Sequence, residues 1–217
     1  MLRIQHKIFA SLLAAVLLTV ATTCAAETVD ALKLRMGAGN LGTGKNKSEL
    51  CQGCHGENGQ SLDDMVPHLA GQYEYYIAKQ LRDFQKGVRI HQIMSALAAT
   101  INDAELQDIA TFFASQEKMH GNGSGDNPVG KKIFMKGDAP RKIPACESCH
   151  GVNGKGKGPN ISTYPVIGGQ HKEYLRAQLV NWRSGERSNS PGGIMNKIAE
   201  HLTDAEIDAL ANYISGL

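Results

Sequence analysis

This chain has few aromatic residues, almost no net charge and no thiol to spare. Phe, Trp and Tyr make up 6% of its 217 residues. That is little for the one large or two small domains such a length supports, so a second source of apolar surface is needed. The formal charge is +2, and the excess lies in the first few residues. Without Arg3 and Lys7, the 23 basic residues fall to equality with the 21 acidic ones. No global basic patch remains, which argues against a nucleic-acid partner. The apolar run Ile8–Val20, broken by Ser11 and Thr19, is shorter than the roughly 20 residues a membrane span needs. With its positive start and the small residues Cys24-Ala25-Ala26, Met1–Ala26 reads as a secretory signal peptide cleaved before Glu27. An uncleaved N-terminal anchor is the alternative. Cys24 lacks a Leu three residues before it, so a lipoprotein anchor fits less well. Of five cysteines, Cys24 leaves with the leader and the other four form two pairs.

Those pairs are Cys51-Gln52-Gly53-Cys54-His55-Gly56 and Cys146-Glu147-Ser148-Cys149-His150-Gly151. C-x-x-C-H is the pattern of covalent c-type haem attachment. Two thiols add to the two vinyl groups of one haem, and the adjacent His supplies the proximal iron ligand. A redox C-x-x-C belongs in a βαβ context, and a zinc ribbon pairs its C-x-x-C units about 15–20 residues apart; neither is found here. Structural disulfides give no reason for the His. Export fits as well, because it delivers the cysteines to an oxidising compartment. A haem in each half would also provide apolar surface for cores short of aromatics.

The motifs belong to a longer repeat. Gly56, Asn58 and Gly59 recur as Gly151, Asn153 and Gly154; Pro67 as Pro165; Gly71-Gln72 as Gly169-Gln170. Tyr76, Gln80, Leu81, Gly87 and Arg89 recur as Tyr174, Gln178, Leu179, Gly185 and Arg187, and Phe84 aligns with Trp182. The offset grows from 95 through 98 to 101, so the second copy carries two short loop insertions. The expected fold is all-α, with two tandem domains over 27–120 and 129–217. Gly121–Pro128, rich in Gly and Asn, is the linker between them.

Within the first copy, Asp30–Met36 suggests a helical turn, Gly37–Gly44 breaks regularity, and Lys45–Leu50 leads helically into the motif. Tyr73, Ile77, Leu81 and Phe84 share one face of a helix expected over Tyr73–Lys86, with Gly87 as its stop. Asn102-Asp103-Ala104-Glu105 and Thr203-Asp204-Ala205-Glu206 read as capping boxes. They open terminal helices, the first running to about Gln116. Leu106, Ile109, Ala110 and Phe113 form one buried stripe; Ile207, Leu210, Ala211 and Ile214 form the other.

An iron used for electron transfer needs a second axial ligand, and Met opposite His raises its potential. The repeat selects Met94 and Met195, 39 and 45 residues after their histidines. Both are expected in irregular chain before the terminal helix. Met36, Met119 and Met135 have no counterpart, and Met65 is too near His55 to reach the far face. His68, His91, His171 and His201 are rivals without a counterpart. The haem-binding set is therefore Cys51, Cys54, His55, Met94, Cys146, Cys149, His150 and Met195. Pro67 and Pro165 are either plain turns or carbonyl acceptors for the histidines' second N–H. Tyr76, Tyr174, Arg89 and Arg187 are candidates for the haem propionates, the tyrosines equally for helix packing.

In these residues, and in Gly87-Val88-Arg89, Gly185-Glu186-Arg187 and Val129-Gly130-Lys131-Lys132 leading to Ile143-Pro144-Ala145-Cys146, the chain resembles the dihaem cytochrome c4 family, a tandem class I cytochrome c. The resemblance spans nearly the whole chain after the leader; the first copy departs in its glycine-rich lead-in. It implies two helical haem domains facing each other, each carrying one covalent haem c, close enough to exchange electrons. It implies a periplasmic one-electron carrier, not an enzyme, soluble or held at the membrane. Its partners would be membrane respiratory complexes: a quinol-oxidising complex or dehydrogenase as donor, a terminal oxidase as acceptor. Two other readings stand beside it. One is a cytochrome subunit of an oxidoreductase. The other is a dihaem enzyme, a peroxidase or sulfur-compound dehydrogenase, which a Met in both halves argues against.

Overall fold

The computed structural model describes residues 39–158 and 164–217. The leader and the expected turn over Asp30–Met36 lie outside them. Ten α-helices stand among the described residues: α1 (Leu41–Lys47), α2 (Glu49–His55), α3 (Glu74–Gln85), α4 (Gln92–Ala98), α5 (Asp103–Ala114), α6 (Pro128–Lys136), α7 (Glu147–His150), α8 (Lys172–Ser184), α9 (Ile194–Ala199) and α10 (Asp204–Ser215). The described residues contain no β-strand, only an isolated bridge between Asp138 and Ile143.

Each half is built around the crossing of its first and last helices. In the first, α1 and α3 pack on α5; in the second, α6 and α8 pack on α10. Ile77, Leu81 and Phe84 of α3 meet Leu106, Ile109 and Phe113 of α5 in one buried cluster. Ile133 and Phe134, Leu175, and Ile207, Leu210 and Ile214 form the other. Both capping boxes are formed: each cap side chain accepts from the N3 amide and the N3 Glu reaches back, satisfying two orphan donors.

Two sequence expectations need correction. The glycine-rich lead-in does not break regularity throughout: Gly42 and Gly44 lie inside α1. A Cβ at Gly44 would overlap the Asp108 carbonyl and crowd Phe112, and one at Gly130 would overlap the Ala209 carbonyl and crowd Tyr213. Asp108 and Phe112 are the repeat positions of Ala209 and Tyr213. Glycine is therefore required by the same helix crossing in both halves. Second, Met94 and Met195 lie on short helices, α4 and α9, not in irregular chain. Local acceptors start these helices: Met94 N donates to His91 Nδ1 (3.3 Å) and Met195 N to Ser190 Oγ (3.1 Å).

The linker is strapped along the end of α10. Gly121 N donates to Leu217 O at 2.6 Å and Gly123 N to Gly216 O at 3.1 Å. Met119, without a counterpart in the other half, is 2% exposed. It packs with Tyr73 and Val166 in an apolar cluster between the halves.

Candidate haem sites

His55 and His150 end α2 and α7, and both are buried. The glycine after each has φ of 81°, a conformation only glycine adopts readily. A Cβ there would strike the carbonyl of Gln60 or Gly156. Thus the chain turns sharply after each His and returns to Pro67 or Pro165. His55 Nδ1 donates to Pro67 O at 2.8 Å, and His150 Nδ1 to Pro165 O at 2.9 Å. Of the two readings of these prolines, the carbonyl acceptor is the one observed. With Nδ1 carrying the proton, the Nε2 lone pair is left to bind a metal. Burial pushes both imidazoles below their ordinary pKa, against the opposing pull of the proline carbonyls, so both rings are neutral at pH 7.

Cys51, Cys54, Cys146 and Cys149 form no disulfide. Cys51 and Met94 pack against the same core cluster, and Cys146 packs against the other. Met94 and Met195 are half-buried.

The rival histidines are engaged elsewhere. His91 caps α4, and His201 pairs with Glu200 at 3.3 Å. His68 and His171 stack across the halves with centroids 3.9 Å apart. His171 Nε2 lies 3.1 Å from Ser61 O and Nδ1 3.2 Å from Asp64 Oδ1.

Tyr76, Tyr174, Arg89 and Arg187 form a crossed network between the halves. Arg89 donates to Gln80 of its own half (2.7 Å) and to Tyr174 and Gln178 of the other (3.2 and 3.1 Å). Arg187 donates to Gln178 (2.7 Å) and across to Tyr76 and Gln80 (3.0 and 3.1 Å). The guanidiniums stack on Phe84 and Trp182 at 4.7 and 4.3 Å. Burial would raise the Tyr174 phenol, but Arg89 and Arg187 outweigh it and hold it below its ordinary value. The symmetry is broken by Asn189, which donates to Gln80 and Asp83; Lys79 also pairs with Asp83.

These residues fit haem. Each half offers two thiols, a neutral His with one nitrogen free and a half-buried thioether. Among the described residues, neither Arg89 nor Arg187 has a carboxylate partner. Two guanidiniums satisfied only by neutral acceptors suit a group that brings its own carboxylates. Sequence reading missed the glutamines of this seam. The signal was there, in polar residues repeated at fixed positions along helices whose apolar face was already assigned.

Comparison with known proteins agrees. Residues 129–217 match the cytochrome c family model, and residues 44–113 match that of cytochrome c oxidase, cbb3-type, subunit III. The chain is 39% identical to cytochrome c4 of Pseudomonas aeruginosa over 185 residues, covering 83% of this chain and 90% of that one. It is 34% identical over 172 residues to the thiosulfate dehydrogenase electron acceptor of Stutzerimonas stutzeri, covering 77% and 78%. The crystal structure of reduced cytochrome c4 from Pseudomonas stutzeri superposes with a TM-score of 0.77 at 35% identity, covering 83% of this chain and all of that one. The chain belongs to the cytochrome c4 family, dihaem electron-transfer proteins with two covalently bound haem c groups.

Proposed function

We propose that Cys51, Cys54, His55 and Met94 hold one haem, and Cys146, Cys149, His150 and Met195 the other, in domains spanning 27–120 and 129–217 joined by 121–128. The observation that carries this is the twice-made hydrogen bond from His Nδ1 to a proline carbonyl, at 2.8 and 2.9 Å. It fixes the ring nitrogen left for iron. When bound, the haem iron supplies a one-electron ferrous–ferric couple. The chain's own residues do the rest. The histidines are held in one tautomer and orientation, and Met94 and Met195 would supply each iron's second protein ligand. Arg89 and Arg187 provide charge for the propionates at the seam. A His and a Met offered to each iron would leave no ligand position for a substrate, which suits transfer between partners and not bond-making.

The carrier works after export to the periplasm, taking electrons from a quinol-oxidising complex or dehydrogenase and passing them to a terminal oxidase. Among the described residues, no helix is long and apolar enough to cross a membrane. A second reading has an observation in its favour: the Stutzerimonas stutzeri relative is an electron acceptor of thiosulfate dehydrogenase. A periplasmic sulfur-compound dehydrogenase is thus an alternative to a membrane-bound donor. Stopped-flow reduction of the purified protein by each class of donor separates the two. The ligand set is tested by Met94→Leu and Met195→Leu. Each should lower the potential of its own haem and abolish its thioether–iron absorption band. Unchanged spectra at both haems would refute the set.

A further inference from the structure

Two further side-chain amides are buried in the seam, Gln72 and Gln170, 5% and 4% exposed. Each grips the backbone of the opposite half with both of its polar atoms. Gln170 Oε1 accepts from His68 N at 2.9 Å, and its Nε2 donates to His68 O at 3.0 Å. Gln72 Oε1 accepts from Val166 N at 2.9 Å, and its Nε2 donates to Val166 O at 2.8 Å. His68 and Val166 directly follow Pro67 and Pro165. The gripped N–H and the proline carbonyl that holds the histidine are therefore two ends of one peptide group.

A continuous hydrogen-bonded chain follows from this. His55 Nδ1–H donates to Pro67 C=O; the same peptide's N–H, on His68, donates to Gln170 Oε1. The mirror chain runs His150, Pro165–Val166, Gln72. Hydrogen bonds in series polarise one another. A peptide whose N–H is accepted carries more negative charge on its carbonyl oxygen. That oxygen then draws harder on the histidine Nδ1–H and makes the ring a more electron-rich ligand. Core-filling glutamines would have no reason to repeat this bidentate grip, in trans, on the same peptide of each half.

We infer that Gln170 tunes the haem held by His55 and Gln72 the haem held by His150, so that each half sets the electron affinity of the other half's iron. The inference rests on the proposal that His55 and His150 are the proximal ligands. An electron-rich imidazole favours ferric iron, so losing the amide raises the potential of the opposite haem. Both glutamines are positioning residues, acting through the peptide and the histidine.

The test uses the full dihaem protein with Gln170→Met and Gln72→Met, which keep side-chain length and remove the amide. Each haem's methyl resonances, assigned through its own cysteine thioethers, are followed by NMR through a redox titration. In Gln170→Met, the oxidised-to-reduced ratio of the first-half haem should fall about threefold at fixed poise. That is about 28 mV at 59 mV per decade. The second-half haem should move by less than a third as much. Gln72→Met should give the mirror image. Gln170→Glu keeps an oxygen facing His68 N–H and should not raise the first haem's potential. Equal movement of both haems is what a loosened interface would give, and it overturns the inference. So does a larger shift at the variant's own haem, no shift, or a rise in Gln170→Glu. If one methionine variant fails to load haem, the other and Gln170→Glu decide the matter. Failure of the ligand assignment would show separately, as native protein without a histidine imidazole resonance at each iron.

Discussion

Arg141 reaches from the short 3₁₀ turn Ala139–Arg141 to grip both carboxylate oxygens of Glu206, the N3 residue of α10's capping box. The guanidinium pulls the carboxyl down to about 2, against the opposing effect of burial. A depressed carboxyl stabilises the fold above its unfolded pKa of 4.5, and that stability is lost as pH falls through about 2. Because Arg141 is 39% exposed, water screens the pair and keeps its contribution small. Urea midpoints measured from pH 5 to 2 should fall in the native protein and fall less in Glu206→Gln; parallel curves would refute this. His68 works in a higher window. Burial first, and the stacked His171 second, push it down to about 4, against the pull of Asp64. Its Nδ1 has no hydrogen-bond partner among the described residues. A lowered imidazole is neutral when folded, so its stability is complete above pH 6.5 and declines as pH falls towards 4. Solvent screening of this half-buried ring cuts the full linkage value to a decline on the order of 1–2 kcal/mol, and the His68→Phe variant, which keeps a stacking ring, should lack it.

At the scale of elements, two glycines two residues apart in α1 should respond oppositely to the same substitution. Gly42 has only Asn40 Oδ1 near its Cβ position, at 3.5 Å. Gly42→Ala should stabilise by about 0.5–1 kcal/mol through the helix backbone alone. Gly44→Ala forces α1 off α5 and should cost about 1–3 kcal/mol. Thermal melts of the two holoproteins check the sign, and a matching sign would refute the crossing argument. Asn102→Ala, which removes the α5 cap, should cost about 1 kcal/mol. Much of this scale was legible in the sequence. The stripes of α3, α5 and α10 were read from spacing, except that Tyr73 precedes α3 and packs with Met119 and Val166 between the halves. The α3 and α5 bounds differ from expectation by one or two residues, the observed helices being Glu74–Gln85 and Asp103–Ala114. The helical stretches α4 and α9 were not legible, because seven and six residues hold too few turns to show a period. Gly44 was misread because its reason lies on Asp108, far along the chain.

At the scale of the whole molecule, the motifs and their duplication were readable, while the histidines' proline acceptors were one of two open readings that only the structure separates. The wiring between the halves was not. Arg89 finds Tyr174, and Gln72 finds Val166, at separations of 85 and 94 residues; no local pattern encodes such pairs. The network predicts that the halves unfold together. Arg89→Met with Arg187→Met takes these donors from the half-buried Gln178, Tyr76 and Tyr174 oxygens, while buried Gln80 keeps only Asn189, and unsatisfied polar groups cost about 1–3 kcal/mol each. Calorimetry of the holoprotein should show one transition for the native chain and two for the double variant; two in the native chain would mean the seam does not couple the halves.

The strapped linker has a consequence for assembly. A pseudo-twofold interface between separate chains would form only above a threshold concentration. Here the second half is delivered at an effective concentration in the millimolar range for a short tether, whatever the dilution outside. Docking becomes a first-order event with no dependence on expression level. An interface with Tyr73, Met119 and Val166 as its buried apolar cluster can then be given over largely to hydrogen bonds between the two halves.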